Sequence, residues 1–522
     1  MSFKLTYSTM FNPPAEMHER FETALTNLKS GLGATHAFYI DGAEVKGTTH
    51  DLRKSPTDQR MVLGNFPVAN AAEATRALDA AHAAFPGWQA TAAGERVRLM
   101  KRAAALIEER VYDIAAALCL EVGKNRMEAL ADAQETADFF SLYADDFLKH
   151  DGFDHKLPDD PSTEFRAHNR SVAKPYGAWL VIAPYNFPFA LAGGPVAAAL
   201  VTGNTVVLKG ATDTPWAGRL LADTLRDAGF PPGVFNYVSG GGSVAGEALI
   251  AHPRLAGVTF TGSYNVGMHI YRTLANGRYP RPCITEMGGK NACIVTANAD
   301  LERAANGIVR SAYGLSGQKC SATSRLYVDA RVADALTEKL LQKIGALKVG
   351  DPSQRENWMG PVTTAGAYSN YQRYSEQLRG DGGKVLAGAQ VLRDGDLAHG
   401  FFVAPTFAEA PASHPLFDEE MFSPILMLCR VKDREEAMRL TNASSLGLTA
   451  GCFGSDDDVD YFFNHVEAGV TYANRAQGAT TGAWPGYQPF GGWKGSSSSC
   501  KGIASFYYLA QYLREQSQTR VE

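Results

Sequence analysis

Between residues 71 and 149 apolar positions recur every three to four residues, with charges between them. That is the period of helices that bury one stripe. Three Ala- and Leu-rich stretches, 71–85, 94–112 and 113–123, are predicted helices. Asn70 is placed to cap the first, and Pro86-Gly87 is expected to end it. A fourth helix is predicted over about 126–149, where Phe139, Phe140, Tyr143 and Phe147 share a stripe and read as core. Ahead of these lie a short basic and polar lead-in and one predicted strand, Ala37-Phe-Tyr-Ile40.

Past residue 175 the pattern changes to short apolar runs alternating with helical stretches. Residues 178–201 carry no charge, and length alone would permit a membrane span. Pro184, Asn186, Pro188, Gly193, Gly194 and Pro195 fall inside that segment, and backbone freed by them would find no water in lipid. It reads instead as a buried strand at 179–183, a loop, and a buried helix after Gly193. Strands at 205–209, 234–238 and 258–261 then alternate with helices at 215–228 and from Gly246. A second alternating set starts at Ala292-Cys-Ile-Val295 and continues past 425–431. Such alternation predicts α/β units on parallel sheets. One unit spans 1–287, interrupted by an excursion or hairpin at 156–174, and another spans 288–488, followed by a C-terminal segment that returns to pair elsewhere.

Composition removes several classes. Fifty basic against 55 acidic residues leave a net charge of −5, so nucleic acid is not an expected partner. Apolar content of 45% and charged content of 20% are those of a globular chain. No secretory or membrane segment is expected. The seven cysteines lack any C-x-x-C pair, which removes a structural zinc motif; no metal site is expected, and the pattern fits a reducing, cytoplasmic setting.

Cys320 stands in Gly-Gln-Lys-Cys-Ser-Ala, with Lys319 and Arg325 nearby. Cations lower a thiol's pKa, and small flanking residues let backbone N–H groups converge on a substrate oxygen. From this stretch alone an inert thiol and a nucleophile are equally compatible. Glu286 ends a predicted strand before Gly-Gly; it is either a turn carboxylate or a base that activates water. Lys209 and the Phe260-Thr-Gly-Ser263 turn lie at strand ends, where open parallel sheets bind ligands. Gly262 permits close approach of a phosphate to a helix N-terminus. Ser239-Gly-Gly-Gly-Ser243 does not complete G-x-G-x-x-G.

Taken together, Pro184-Tyr-Asn-Phe-Pro188, Phe260-Thr-Gly-Ser263, Glu286-Met-Gly-Gly-Lys290, Gly317-Gln-Lys-Cys320, Glu420-Met-Phe-Ser-Pro424 and Pro489-Phe-Gly-Gly492 resemble the NAD(P)-dependent aldehyde dehydrogenase superfamily, in order and along nearly the whole chain. The resemblance implies a Rossmann-type dinucleotide-binding domain (1–155 and 175–287), a catalytic domain (288–488) and an oligomerisation bridge (156–174 with 489–522), assembled as a homodimer or homotetramer. It implies Cys320 as the nucleophile toward an aldehyde, Asn186 with the Cys320 N–H as oxyanion hole, and Glu286 as the base that hydrolyses the thioester. It further implies a cleft for NAD or NADP in which Lys209 and Thr212 meet the adenine ribose, Gly262 and Ser263 the pyrophosphate, and Pro184, Gly288, Glu420 and Phe422 the nicotinamide half.

Within the superfamily, Glu121-Val-Gly-Lys-Asn125, Ser311-Ala-Tyr-Gly314, Gly317-Gln-Lys-Cys-Ser-Ala322 and Thr481-Gly-Ala483 most resemble 1-pyrroline-5-carboxylate (glutamate γ-semialdehyde) dehydrogenases. That implies oxidation of the semialdehyde to glutamate, a step of proline catabolism, with Phe187, Ser321, Ser496 and Ser497 at the substrate. Several positions depart. Trp493-Lys-Gly-Ser-Ser-Ser-Ser499 stands where a Ser-Gly-Thr loop is usual, so Ser497 replaces a glycine. The stretch 474–480 is long, and Trp484, Tyr487 and Trp493 add rings. These rings either pack loops or line a pocket for another semialdehyde or an aromatic aldehyde. Thr212 takes the place of an acidic residue, with Asp213 next, which leaves NADP use open. Two further classes remain: a binding or structural protein on the same fold, and a thiol hydrolase without cofactor.

Overall fold

The computed structural model of the protein describes residues 4–10, 12–477 and 481–522. Two seven-stranded sheets form its frame. The first runs, in spatial order, Cys283–Glu286, Leu255–Thr261, Ala178–Ile182, Thr205–Gly210, Phe235–Ser239, Phe38–Ile40 and Ala43–Val45. Its first five strands are parallel, and the hairpin of the last two adds antiparallel. Successive side chains of a strand point to opposite faces, and both faces here are buried. Trp179, Val181, Val206 and Leu208 enter one core, while Ala178, Leu180 and Val207 enter another. That two-sided burial explains the uninterrupted apolar run of residues 178–182.

The second sheet runs Lys384–Ala387, Thr406–Glu409, Ile425–Val431, Thr323–Asp329, Asn291–Val295, Thr449–Phe453 and Val470–Ala473. It is parallel apart from its first strand and is likewise filled from both faces. Strands Asp154–Lys156 and Ala167–Pro175 leave the body of the first unit and pair antiparallel with each other, and Ala167–Pro175 pairs antiparallel on its other side with Leu513–Val521. No helix among the described residues is long and apolar enough to cross a membrane.

Local readings need three corrections. The first predicted helix does not stop at Pro86; it spans Ala71–Ala90. Asn70 and Glu73 form a reciprocal cap at its start. Its last turn is held by Trp88, which is buried and donates from Nε1 to the Leu200 carbonyl at 3.1 Å. The lead-in contains a helix, Ala15–Lys29, which buries only Phe21, Ala24 and Leu25; so thin a stripe left little signal. The apolar helix begins at Ala190 and keeps Gly193 and Gly194 inside. A Cβ on Gly193 would lie 2.3 Å from Thr136, and one on Gly194 2.6 Å from Ile503. These glycines serve close packing against the Arg126–Lys149 helix and the C-terminal segment.

That packing encloses charge. Lys124 Nζ lies 2.8 Å from Asp132 Oδ2, with both side chains fully buried, and 3.4 Å from the centre of the Phe187 ring. The other Asp132 oxygen accepts the Ala190 N–H at 2.8 Å. Removing one partner strands the other's charge in an apolar setting, which typically costs about 3–5 kcal/mol. Asp132→Ala is therefore expected to lower the unfolding free energy by an amount of that size, read from the fall in urea midpoint multiplied by m.

Candidate active site

The Leu301–Tyr313 helix ends in a turn that delivers Cys320. Leu315, Ser316 and Gly317 have φ of 49°, 54° and 69°, three consecutive left-handed residues, a costly conformation for the two that carry a Cβ. Neighbours hold it in place. Ser316 Oγ donates to the Gly360 carbonyl at 2.7 Å, and Gln318 Oε1 accepts the Thr363 N–H at 3.0 Å. A Cβ on Gly317 would meet the Ser423 carbonyl oxygen at 2.3 Å. Asn291 Nδ2 donates to the carbonyls of Cys320 and Ala322 at 2.6 and 2.9 Å, and its Oδ1 accepts the Thr449 N–H. Asn186 is buried and donates from Nδ2 to the Gln318 carbonyl at 2.8 Å.

Glu286 ends the edge strand of the first sheet. Burial pushes its carboxyl up to about 8, and Oε1 has no hydrogen-bond partner among the described residues. The next turn is shaped by Glu420. A Cβ on Gly288 would overlap the Glu420 carboxylate, and the Gly289 N–H donates to Glu420 Oε1 at 3.0 Å. The Cys320 thiol is raised well above its ordinary value, first by burial and then by Glu286 and Glu420; the N–H groups of Ser321 and Cys320 act in the opposite direction. The expected cationic activation fails. Lys319 is turned to Glu128, at 2.8 Å, in a buried pair. Arg325 is spent on the carbonyls of Lys290, Leu440 and Thr441. Glu286 is the carboxyl that lines, together with Cys320, both cavities described next.

Pro184, Asn186, Lys209, Thr212, Gly262, Ser263, Gly288, Glu420 and Phe422 line one cleft. Burial lowers the Lys209 ammonium to about 8. Ser263 precedes the Tyr264–Ala275 helix and makes no side-chain cap, so that helix N-terminus is open to an anion. Thr212 Oγ1 donates to the Gly240 carbonyl at 3.0 Å. Asp213 supplies a carboxylate in the cleft, 3.3 Å from Arg53. A buried ammonium, an open helix start, a bare glycine and a tethered carboxylate fit the parts of a dinucleotide.

A second cavity holds Phe187 and Ser321, joined by Tyr7, Glu135, Phe139, Lys319, Phe490 and Trp484. Leu191, Glu286 and Cys320 line both cavities. Ser496 and Ser497 do not line this one, contrary to expectation. Ser496 Oγ is buried between the Gly288 carbonyl and the Gly447 N–H. Ser497 forms a backbone bridge to Glu286, and its Oγ accepts from Ser499 and Cys500. The serine loop thus straps the Glu286 strand from behind, and the wall beside Ser321 is built by Thr481, Gly482 and Ala483. Of the three added rings, Trp484 enters the cavity, while Tyr487 and Trp493 are exposed. Residues 478–480 of the long stretch lie outside the described residues. Tyr7, Glu135 and Asn291 were missed. Tyr7 sits in the polar lead-in, and nothing in the sequence joins it to Glu135, which it contacts at 2.6 Å.

No group of three or more His, Cys, Asp or Glu side chains among the described residues is placed to hold a metal ion. A profile of the aldehyde dehydrogenase family matches residues 46–517. A 1-pyrroline-5-carboxylate dehydrogenase of Geobacillus thermodenitrificans is 36% identical over 499 residues, 94% of each chain. 1-Pyrroline-5-carboxylate dehydrogenase 2 of Bacillus subtilis is 35% identical over 491 residues, 92% of each. A solved 1-pyrroline-5-carboxylate dehydrogenase from Thermus with bound NAD superposes with a TM-score of 0.91 at 34% identity, covering 100% of both chains. The chain belongs to the aldehyde dehydrogenase family and is an NAD(P)-dependent enzyme.

Proposed function

We propose that the protein oxidises glutamate γ-semialdehyde, the open form of 1-pyrroline-5-carboxylate, to glutamate. The observation that carries the chemistry is the meeting of an aldehyde-sized cavity and a dinucleotide cleft at one thiol and one carboxyl, Cys320 and Glu286. The names of the relatives support the substrate. So does the lining: Ser321 and the Thr481–Ala483 turn offer hydroxyl and backbone groups to a carboxylate, Lys319 adds an ammonium, and Glu135 faces the same space. Burial holds Glu135 up at about 8, and an arriving substrate ammonium would draw off its proton.

Glu286 takes the Cys320 proton as sulfur attacks the aldehyde carbon. The oxyanion so formed is met by the Asn186 amide and the Cys320 N–H. Lys209, Ser263 and Glu420 would hold NAD, which would supply the hydride acceptor needed to oxidise the adduct to the thioester level. Glu286 passes the thiol proton to solvent and, ionised again, takes one from the attacking water; as the acid leaves, the expelled Cys320 sulfur recovers a proton from Glu286. Asp213 favours ribose hydroxyls over a 2′-phosphate. A second copy is proposed to cover Leu513–Val521, whose nine residues form one edge of the three-stranded sheet; so long an edge invites a partner. Seven unpaired thiols support a cytoplasmic setting.

A second reading has an observation behind it: Tyr7, Phe139, Phe187, Trp484 and Phe490 line the substrate cavity, which suits an aromatic aldehyde. Initial rates with equilibrated 1-pyrroline-5-carboxylate and with benzaldehyde separate the two. The first is expected to lead in kcat/KM by about 100-fold, since a site that hydrogen-bonds polar groups rejects a ligand lacking them; parity would favour the ring-lined reading. Cys320→Ala is expected to abolish both aldehyde oxidation and ester hydrolysis. Glu286→Gln should slow thioester hydrolysis by at least about 100-fold, the usual worth of general-base catalysis, in single-turnover assays. The base works only when ionised, so in the parent enzyme hydrolysis should rise with pH and level off above about 8.

A further inference from the structure

Behind Glu286, on the side away from the substrate, lies a small cavity with room for about one water. Thr259, Thr261, Thr285, Ser497, Lys501 and Tyr508 line it with Glu286. A chain of hydroxyls ends there. Trp179 Nε1 donates to Thr259 Oγ1 at 3.0 Å, Thr259 Oγ1 lies 2.9 Å from the Tyr512 hydroxyl, and Tyr512 donates to the Tyr508 hydroxyl at 3.0 Å. The direction of this chain is fixed. An indole N–H only donates, and each hydroxyl has one proton. Tyr512 spends its proton on Tyr508, so it accepts from Thr259. Tyr508 accepts from Tyr512, so its own proton must be given elsewhere. Among the described residues no acceptor receives it, and Glu286, which lines the same cavity, has its Oε1 buried without a partner.

We infer that Tyr508 is a positioning residue for the catalytic base, donating across one water to Glu286 Oε1 and so favouring the ionised carboxylate. The inference rests on Glu286 being the base. Tyr508 touches neither substrate nor cofactor; it acts by completing the coordination of a carboxylate whose burial otherwise keeps it protonated. Other charged or titratable groups around Glu286 are Cys320, Tyr7, Glu135 and Lys319 across the substrate cavity, Tyr185, Lys209, Asp213, Tyr374 and Glu420 across the cofactor cleft, and Lys501 behind. A variant that leaves all of these in place isolates the hydroxyl.

Tyr508→Phe keeps the ring that stacks on Tyr143 and removes the hydroxyl, both the donor toward Glu286 and the acceptor of the Tyr512 proton. The test uses 4-nitrophenyl acetate without dinucleotide, where the nitrophenolate burst reports Cys320 acylation and the steady state reports deacylation. The burst should stay within about twofold, while the steady state at pH 7 falls about tenfold, the effect of one hydrogen bond to a charged group. The acid limb of the steady-state pH profile should move up by about one unit. Thr259→Val, which cuts the chain upstream and spares Tyr508, should give a smaller change of the same sign, and it serves if the first variant does not fold. Unchanged steady state and acid limb in both variants would overturn the inference, as would an equal loss in both phases. Glu286→Gln is run alongside: a steady state unaffected by that change would instead overturn the assignment of the base.

Discussion

A thiol and a carboxyl are buried at the same point with no cation among the described residues acting to lower either. Burial raises both groups, and each one's charge would oppose the other's. In the resting protein the pair is therefore neutral, and ionising either group in so dry a place is unfavourable. Once Glu286 has lost its proton to solvent, moving the thiol proton onto its carboxylate as sulfur bonds to carbon avoids part of that cost, because the pair never carries more than one charge. The rest of the architecture follows from that requirement. One sheet must bring Glu286 and the other Cys320 to the same point, and each cavity must reach that point from its own side.

The frame was largely legible because it is repetitive. Alternating apolar runs and helical stretches signalled parallel sheets, and the Arg126–Lys149 and Pro215–Ala228 helices fell where the periodicity put them. The dinucleotide cleft was legible through separated motifs that only the fold brings together. Errors came where tertiary contacts outweighed local preference. Pro86 stays in its helix because Trp88 is anchored beyond it, and Gly193 and Gly194 sit inside a helix because two neighbours need the space of a Cβ.

The charges beside Cys320 teach a sharper lesson. Sequence adjacency made Lys319 and Arg325 look like activators of the thiol. In space Lys319 is tied to Glu128, and Arg325 holds the Lys290 carbonyl and those of Leu440 and Thr441 in the last turn of the Arg434–Asn442 helix. Their role is to fix the turn, and a fixed turn is what a three-residue left-handed run needs, since strain persists only where the surroundings over-determine it. The serine loop was misjudged for the related reason that proximity in sequence to Gly491-Gly492 says nothing of which side of Glu286 it passes.

The buried ion pairs under the site are best understood in the same terms. Lys124–Asp132 and Lys319–Glu128 both lie beneath the Cys320 turn and the Phe187 ring, and burying such pairs is often no more stabilising than apolar packing would be. What they add is direction. Asp132 holds the start of the Ala190–Val201 helix through the Ala190 N–H, so it sets the helix that carries Leu191 into both cavities. Glu128 draws the Lys319 ammonium away from sulfur while leaving it in the substrate wall. An ammonium closer to Cys320 would stabilise the thiolate before substrate arrives; tethered to Glu128, it leaves proton removal to Glu286 and keeps its remaining donors for the substrate.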